Sequence, residues 1–210
     1  MSRYSCIIID EAHERTVATD MLMAILKETL RLRQDFKVII MSATLEATKF
    51  QSYFRDAPLL HIPGRAYPVE TRYLKGGTSN YLYQAVRTVK YIHEKQAKGD
   101  ILVFLPGEDE IERACIEVRK NTSMLDVMPL YSALSMHEQQ RVFSSSTNRK
   151  CVMTTNIAET SLTIDGVVYV VDSGLGKEKN YNPRARLETL QVAQISQAAA
   201  NQRAGRAGRK

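Results

Sequence analysis

The chain has 210 residues, of which 44% are hydrophobic and 25% charged, and its formal net charge is +6. That composition excludes fibrous and low-complexity chains and leaves a globular protein with room for one or two cores. No apolar run reaches the roughly 18 residues of a membrane span, and Met1 opens no signal peptide, so the expectation is a nuclear or cytoplasmic protein, not secreted and with no membrane partner.

Residues 4–16 read YSCIIIDEAHERT. A short continuous apolar run suits a strand buried on both faces, as in a parallel sheet. Ligands of such sheets bind beyond the carboxyl ends of the strands, which puts Asp10 and Glu11 at the rim of a crevice. Adjacent carboxylates suit a hard cation such as Mg²⁺ that is shared with substrate phosphates. Taken alone, the pair more often marks a strand end running into a solvated turn. Thr19-Asp20 predicts the cap of a helix running to about residue 33, with Met21, Leu22, Ile25, Leu26 and Leu30 along one face. Residues 36–41, FKVIIM, predict a second buried strand ending in Ser42-Ala43-Thr44, and residues 45–54 a short helix.

Two prolines and Gly64 within residues 62–68 mark a linker that divides the chain into 1–65 and 66–210. Beyond it, residues 69–73 alternate like a strand and residues 80–96 have helical spacing. Residues 101–105, ILVFL, predict a strand that breaks at Pro106-Gly107. A helix over 108–120 opens with acids, as the helix dipole prefers. A strand over 127–131 is followed by Ser135 and Glu138, which form a capping box for a helix toward Phe143. Strands over 150–155 and 166–172 complete an alternation that argues for an α/β fold with a mostly parallel sheet. Asn182-Pro183 predicts a turn between the pairing stretches 177–181 and 187–192, a projecting hairpin rich in Lys and Arg. Ser196 caps the last helix. Cys6 and Cys151 lie in apolar runs and read as core thiols; no cysteine spacing suits zinc.

The whole net charge lies in residues 177–210, where eight Lys and Arg face only Glu178 and Glu188. Such a segment suits nucleotide phosphates or a nucleic-acid backbone, and also a solvated basic face. Within it, QRAGRAGRK repeats an arginine every third residue: Arg203, Arg206 and Arg209. That spacing brings them to neighbouring positions on a helical turn. The guanidinium fork matches phosphate and keeps its charge at any relevant pH, so the run reads as a grip on a polyphosphate. Residues 154–163, TTNIAETSLT, place hydroxyls and an amide at a strand-to-loop junction. That pattern bonds phosphate oxygens; it equally fits a polar turn with a helix cap.

DEAHERT, SAT at 42–44, LVFLPG at 102–107, TTNIAETSLT and QRAGRAGR stand in the order of motifs II to VI of the DEAH-box helicases of superfamily 2. The chain resembles that family over essentially its whole length, with His13 and Gln202 setting it apart from the DEAD-box form. The resemblance implies a tandem RecA-like P-loop NTPase motor. A partial first lobe would lie in 1–65 and a nearly complete second lobe in 66–210, its parallel sheet flanked by helices and its hairpin at about 177–192. It implies an ATP-dependent RNA helicase with ATP and Mg²⁺ as cofactors. Asp10 and Glu11 would hold Mg²⁺, largely through water, and Glu11 would act as general base. Gln202 would position the attacking water, and Arg206 and Arg209 would contact the γ-phosphate. Phe143 resembles the aromatic that stacks on adenine, although a core position on its helix fits it as well. Thr163 and Asp165 would face the nucleotide. His13, Ser42 and Thr44 would couple ATP state to RNA grip, and Thr155 and Asn156 would touch the RNA backbone. Pro106 stands where many relatives carry Thr. The implied partners are single-stranded RNA and G-patch-type or other protein activators, in the branch that serves splicing or ribosome assembly.

No GxxxxGK[ST] loop occurs in these residues. The expectation is therefore a fragment that does not turn over ATP by itself, each lost phosphate contact weakening nucleotide binding by about 1.5–3 kcal/mol. Its first sheet should expose an apolar edge. The other reading is a non-catalytic RNA- or protein-binding module from a truncated helicase paralogue.

Overall fold

The computed structural model describes residues 3–42, 47–55, 57–62, 67–77, 80–159, 162–184 and 186–209. The chain forms two compact units, Met1–Gly64 and Arg65–Lys210. Both are α/β, built on parallel strands.

In the first unit, β1 (Cys6–Ile9) and β2 (Lys37–Ile40) pair in parallel, with Ile7 opposite Val38 and Ile9 opposite Ile40. Period-two alternation turns these four residues to one face. There they meet Met23 and Leu26 of α1 (Val17–Leu32) and Phe50 of α2 (Ala47–Tyr53). The other face carries Cys6, Ile8 and Ile39, and Ile8 and Ile39 are exposed. The strand is thus buried on one face, not on both, and Cys6 is not a core thiol. The cause is that the described helices of this unit pack on one side only. α1 also begins earlier than Thr19-Asp20 suggests. Thr16 is its cap, its Oγ1 accepting the Thr19 backbone N–H at 3.1 Å, while Asp20 sits in the first turn and accepts a two-pronged bond from Arg15.

In the second unit a parallel sheet runs β4-β5-β3-β6 (Leu125–Leu130, Arg149–Thr154, Asp100–Phe104, Val167–Asp172). β3 lies between two neighbours and is buried on both faces. Ile101 and Val103 pack with α3 (Tyr81–Lys95) and α4 (Glu108–Asn121), whereas Leu102 and Phe104 pack with Val142, Ala158 and Ile164. A near-continuous apolar strand is what burial between two layers demands. Asn80 caps α3, and Ser135 and Glu138 form the expected capping box of α5 (Met136–Arg141). β7 (Leu175–Asn182) and β8 (Leu187–Gln194) form an antiparallel hairpin that is exposed along nearly its whole length. Asn182 Oδ1 accepts the Arg184 N–H at 3.0 Å, which is how Asn182-Pro183 closes the turn. The last helix, α6 (Gln197–Gly205), is capped by Ser196 and continues as a 3-10 turn over Arg206–Gly208.

Residues 69–73 form no strand. The Tyr67 N–H is spent on Gly208 O at 2.8 Å, Glu70 and Arg72 pair with each other in solvent, and Tyr73 is exposed. Alternation alone therefore misleads where no sheet edge receives the segment.

The three thiols differ sharply. Burial pushes Cys115 up to about 12 and raises Cys151 as well, while Cys6 is exposed. Since only thiolate reacts, the folded chain should release one equivalent promptly with a disulfide reagent such as DTNB and the other two only in denaturant. Prompt release of all three, or of none, would contradict this packing.

Candidate functional site

The expected site residues gather in each unit separately. In the first, the carboxyl ends of β1 and β2 are tied by Met41 N–H donating to Ile9 O at 2.8 Å and Ala12 N–H to Met41 O at 3.0 Å. This brings Asp10, Glu11 and Ser42 to one rim. Asp10 is exposed and its Oδ1 accepts the Glu11 N–H at 2.8 Å. Glu11 takes the left-handed conformation, φ 50°, as the chain turns into the 3-10 segment Ala12–Glu14. A non-glycine residue there is uncommon and costs about 1–3 kcal/mol. The turn aims the Glu11 carboxylate back toward His13, whose Nε2 lies 3.5 Å from Glu11 Oε2 with the imidazole almost fully buried. Thr44 lies outside the described residues.

Two exposed or half-exposed carboxylates at a strand end offer a hard-oxygen donor set, which fits Mg²⁺ shared with phosphates. Among the described residues no cluster of three or more His, Cys, Asp or Glu could hold a metal by itself.

In the second unit the three arginines reach Glu159, Leu162 and Thr163. Arg203 is buried. Its Nε donates to Glu159 Oε2 at 2.9 Å, and its Nη1 to Asp172 Oδ1 at 2.9 Å and Leu175 O at 3.1 Å; its guanidinium carbon stands 4.8 Å from the Phe104 ring centre. Arg206, also buried, donates to Leu162 O at 2.9 Å and to Glu159 O. Arg209 is exposed and donates to Thr163 Oγ1 at 2.7 Å. Of the three arginines that the spacing places at neighbouring positions, two are embedded and one faces solvent. Thr163 and Asp165 are exposed and Gln202 is half-buried.

Phe143 is 46% exposed, so the core reading of this residue fails; Val142 beside it fills the core instead. An open cleft next to it is lined by Asp126, Met128, Arg141 and residues 144–147. Thr155 and the exposed Asn156 stand at the carboxyl end of β5, where Thr155 N–H donates to Leu130 O at 3.3 Å. Thr160 and Ser161 lie outside the described residues. Sequence reasoning missed Glu159, Asp172 and Arg203 as a set. No local signal pointed to it, since the two acids lie 44 and 31 residues away from Arg203 in sequence.

The burial difference has a measurable consequence. Arg206→Ala strips a charged donor from two carbonyls in a buried place and should destabilise the second unit by about 2–3 kcal/mol in urea unfolding, whereas Arg209→Ala should stay within about 0.5 kcal/mol. Equal losses would mean that the two arginines are not partitioned between interior and surface.

The helicase conserved C-terminal domain matches residues 82–210. The pre-mRNA-splicing factor ATP-dependent RNA helicase prp22 of Schizosaccharomyces pombe is 50% identical over 218 residues, a match that takes in 100% of this chain and 19% of that protein. The chain thus spans about a fifth of the length of the curated relative it matches. With DEAH at residues 10–13, a RecA-like helicase C-terminal domain in its second unit and half of its residues shared with a helicase, the chain belongs to the DEAH-box helicases.

Proposed function

We propose that this chain is the part of an ATP-dependent RNA helicase that supplies the Mg²⁺- and water-activating acids and the arginines that answer the γ-phosphate. The observation that carries the reading is the Arg209–Thr163 pair: an exposed guanidinium held by a threonine hydroxyl beside Asp165, with Arg206 fixed behind it. A guanidinium already tethered loses less freedom when a phosphate replaces or joins its hydroxyl partner.

In the first unit, Asp10 and Glu11 would hold Mg²⁺, which neutralises phosphate charge when bound. Glu11 takes a proton from the attacking water, and His13 beside it steadies that carboxylate. In the second unit, Arg209 stabilises charge developing on the transferred phosphoryl group, Gln202 orients the water, and Phe143 offers its open ring to the adenine. Thr155 and Asn156 grip the RNA backbone by oxygen and amide contacts that carry no base information. Ser42, at the same rim as the two acids, and Thr44 pass the nucleotide state to that grip. Single-stranded RNA is the expected partner, with G-patch-type activators and a nuclear role in splicing as the finer reading, for which the fission-yeast relative's name is the support.

Because no GxxxxGK[ST] loop lies in these residues, turnover is best measured after exchanging this chain for the matching segment of the fission-yeast relative. RNA-stimulated ATP hydrolysis should survive the exchange, then fall about 10²-fold or more with Glu11→Gln or Arg209→Ala, while oligo(U) binding persists. Hydrolysis indifferent to Glu11→Gln would overturn the assignment of the base. An exchanged protein that binds RNA without hydrolysing ATP would favour the non-catalytic module.

A further inference from the structure

Arg203 is the one motif arginine that no phosphate role requires, yet it is the most deeply engaged. Its fork joins three parts of the second unit: the Glu159 carboxylate, the Asp172 carboxylate at the end of β6, and the carbonyl of Leu175, the first residue of β7. Asp172 Oδ1 is shared, since it also accepts the Gly174 N–H at 2.9 Å. Gly174 O in turn accepts the Ile195 N–H at 3.1 Å, which closes the hairpin at its root. Gly176 of β7 also lies close to the guanidinium: a Cβ there would be in van der Waals contact with Arg203 Nη2, at 3.5 Å. The backbone of the same Glu159 is held by Arg206.

We propose that Arg203 is a positioning residue that pins the root of the β7–β8 hairpin to Glu159, so that the hairpin takes its attitude from a residue whose backbone Arg206 also holds. The hairpin has no described core of its own, being exposed over almost all of both strands, so its orientation depends on its root. Lysine cannot replace Arg203, because a single ammonium lacks the planar fork that reaches two carboxylates and a carbonyl together. The functional sense of this coupling rests on the phosphate-facing reading of Arg206 and Arg209; its test needs neither nucleotide nor RNA, so either idea can fail without the other.

The experiment is residue-resolved amide hydrogen exchange on the 210-residue chain. Glu159→Ala touches no hairpin atom, yet it should speed exchange at Ile195 and the first residues of β7 about tenfold, with β3 and β5 amides unchanged. Arg203→Lys should give the same local pattern. Asp172→Asn, which keeps the shared oxygen, should stay near the parent, whereas Asp172→Ala should match Glu159→Ala. Unchanged exchange at the root would overturn the pin, as would acceleration spread evenly over the second unit, or an Asp172→Asn variant no better than Asp172→Ala.

Discussion

A buried guanidinium between two carboxylates is the interaction on which the second unit depends. Taking Arg203 out of water costs several kcal/mol, and that cost is recovered only because the fork finds Glu159, Asp172 and Leu175 O together. Each partner is therefore needed by the others. A buried pair of this kind contributes little net stability compared with an apolar replacement, but losing one member is expensive. Such an arrangement selects one geometry. Glu159 is held against Arg203, and the hairpin root is held where Asp172 leaves the sheet.

That geometry divides labour among residues that look alike in the sequence. Arg206 donates to two carbonyls in the interior, so part of its fork is committed before any ligand arrives. Arg209 spends one exposed donor on Thr163 and keeps the rest of its fork in water. A group that must meet developing charge has to be free to turn toward it at small cost, and Arg209 meets that condition. A group that must not move as charge develops is better committed beforehand, which is the condition Arg206 meets.

Much of this was legible in the sequence because burial between two layers leaves a plain mark. ILVFL could only be a central strand, and the Ser135–Glu138 box and Ser196 named their own helices. What the sequence hid depended on which faces had partners. The apolar run of β1 has the composition of a doubly buried strand, yet only Ile7 and Ile9 face a helix, leaving Cys6 and Ile8 exposed. Residues 69–73 alternate as a strand does, but alternation reports a face and not a hydrogen-bonding neighbour. The arginine spacing showed that the motif binds anions; whether the anion is a ligand or the protein's own carboxylate is settled by what the fold brings near, and Glu159 and Asp172 are 44 and 31 residues away in sequence.

The same logic bears on Glu11. A left-handed glutamate is a costly way to leave a strand, and glycine would remove the strain outright. The conformation persists because three neighbours over-determine it: the Asp10 carboxylate on the Glu11 N–H, the Met41 carbonyl on the Ala12 N–H, and the buried His13 ring near the Glu11 carboxylate. Strain held in place this firmly fixes the carboxylate in advance, which is the pre-organisation that the proposed role of Glu11 as a base would call for. Glu11 and Arg203 thus solve one problem in two ways, one by backbone strain and the other by a buried charge network. In each the fold spends stability to hold a charged side chain where solvation alone would leave it loose.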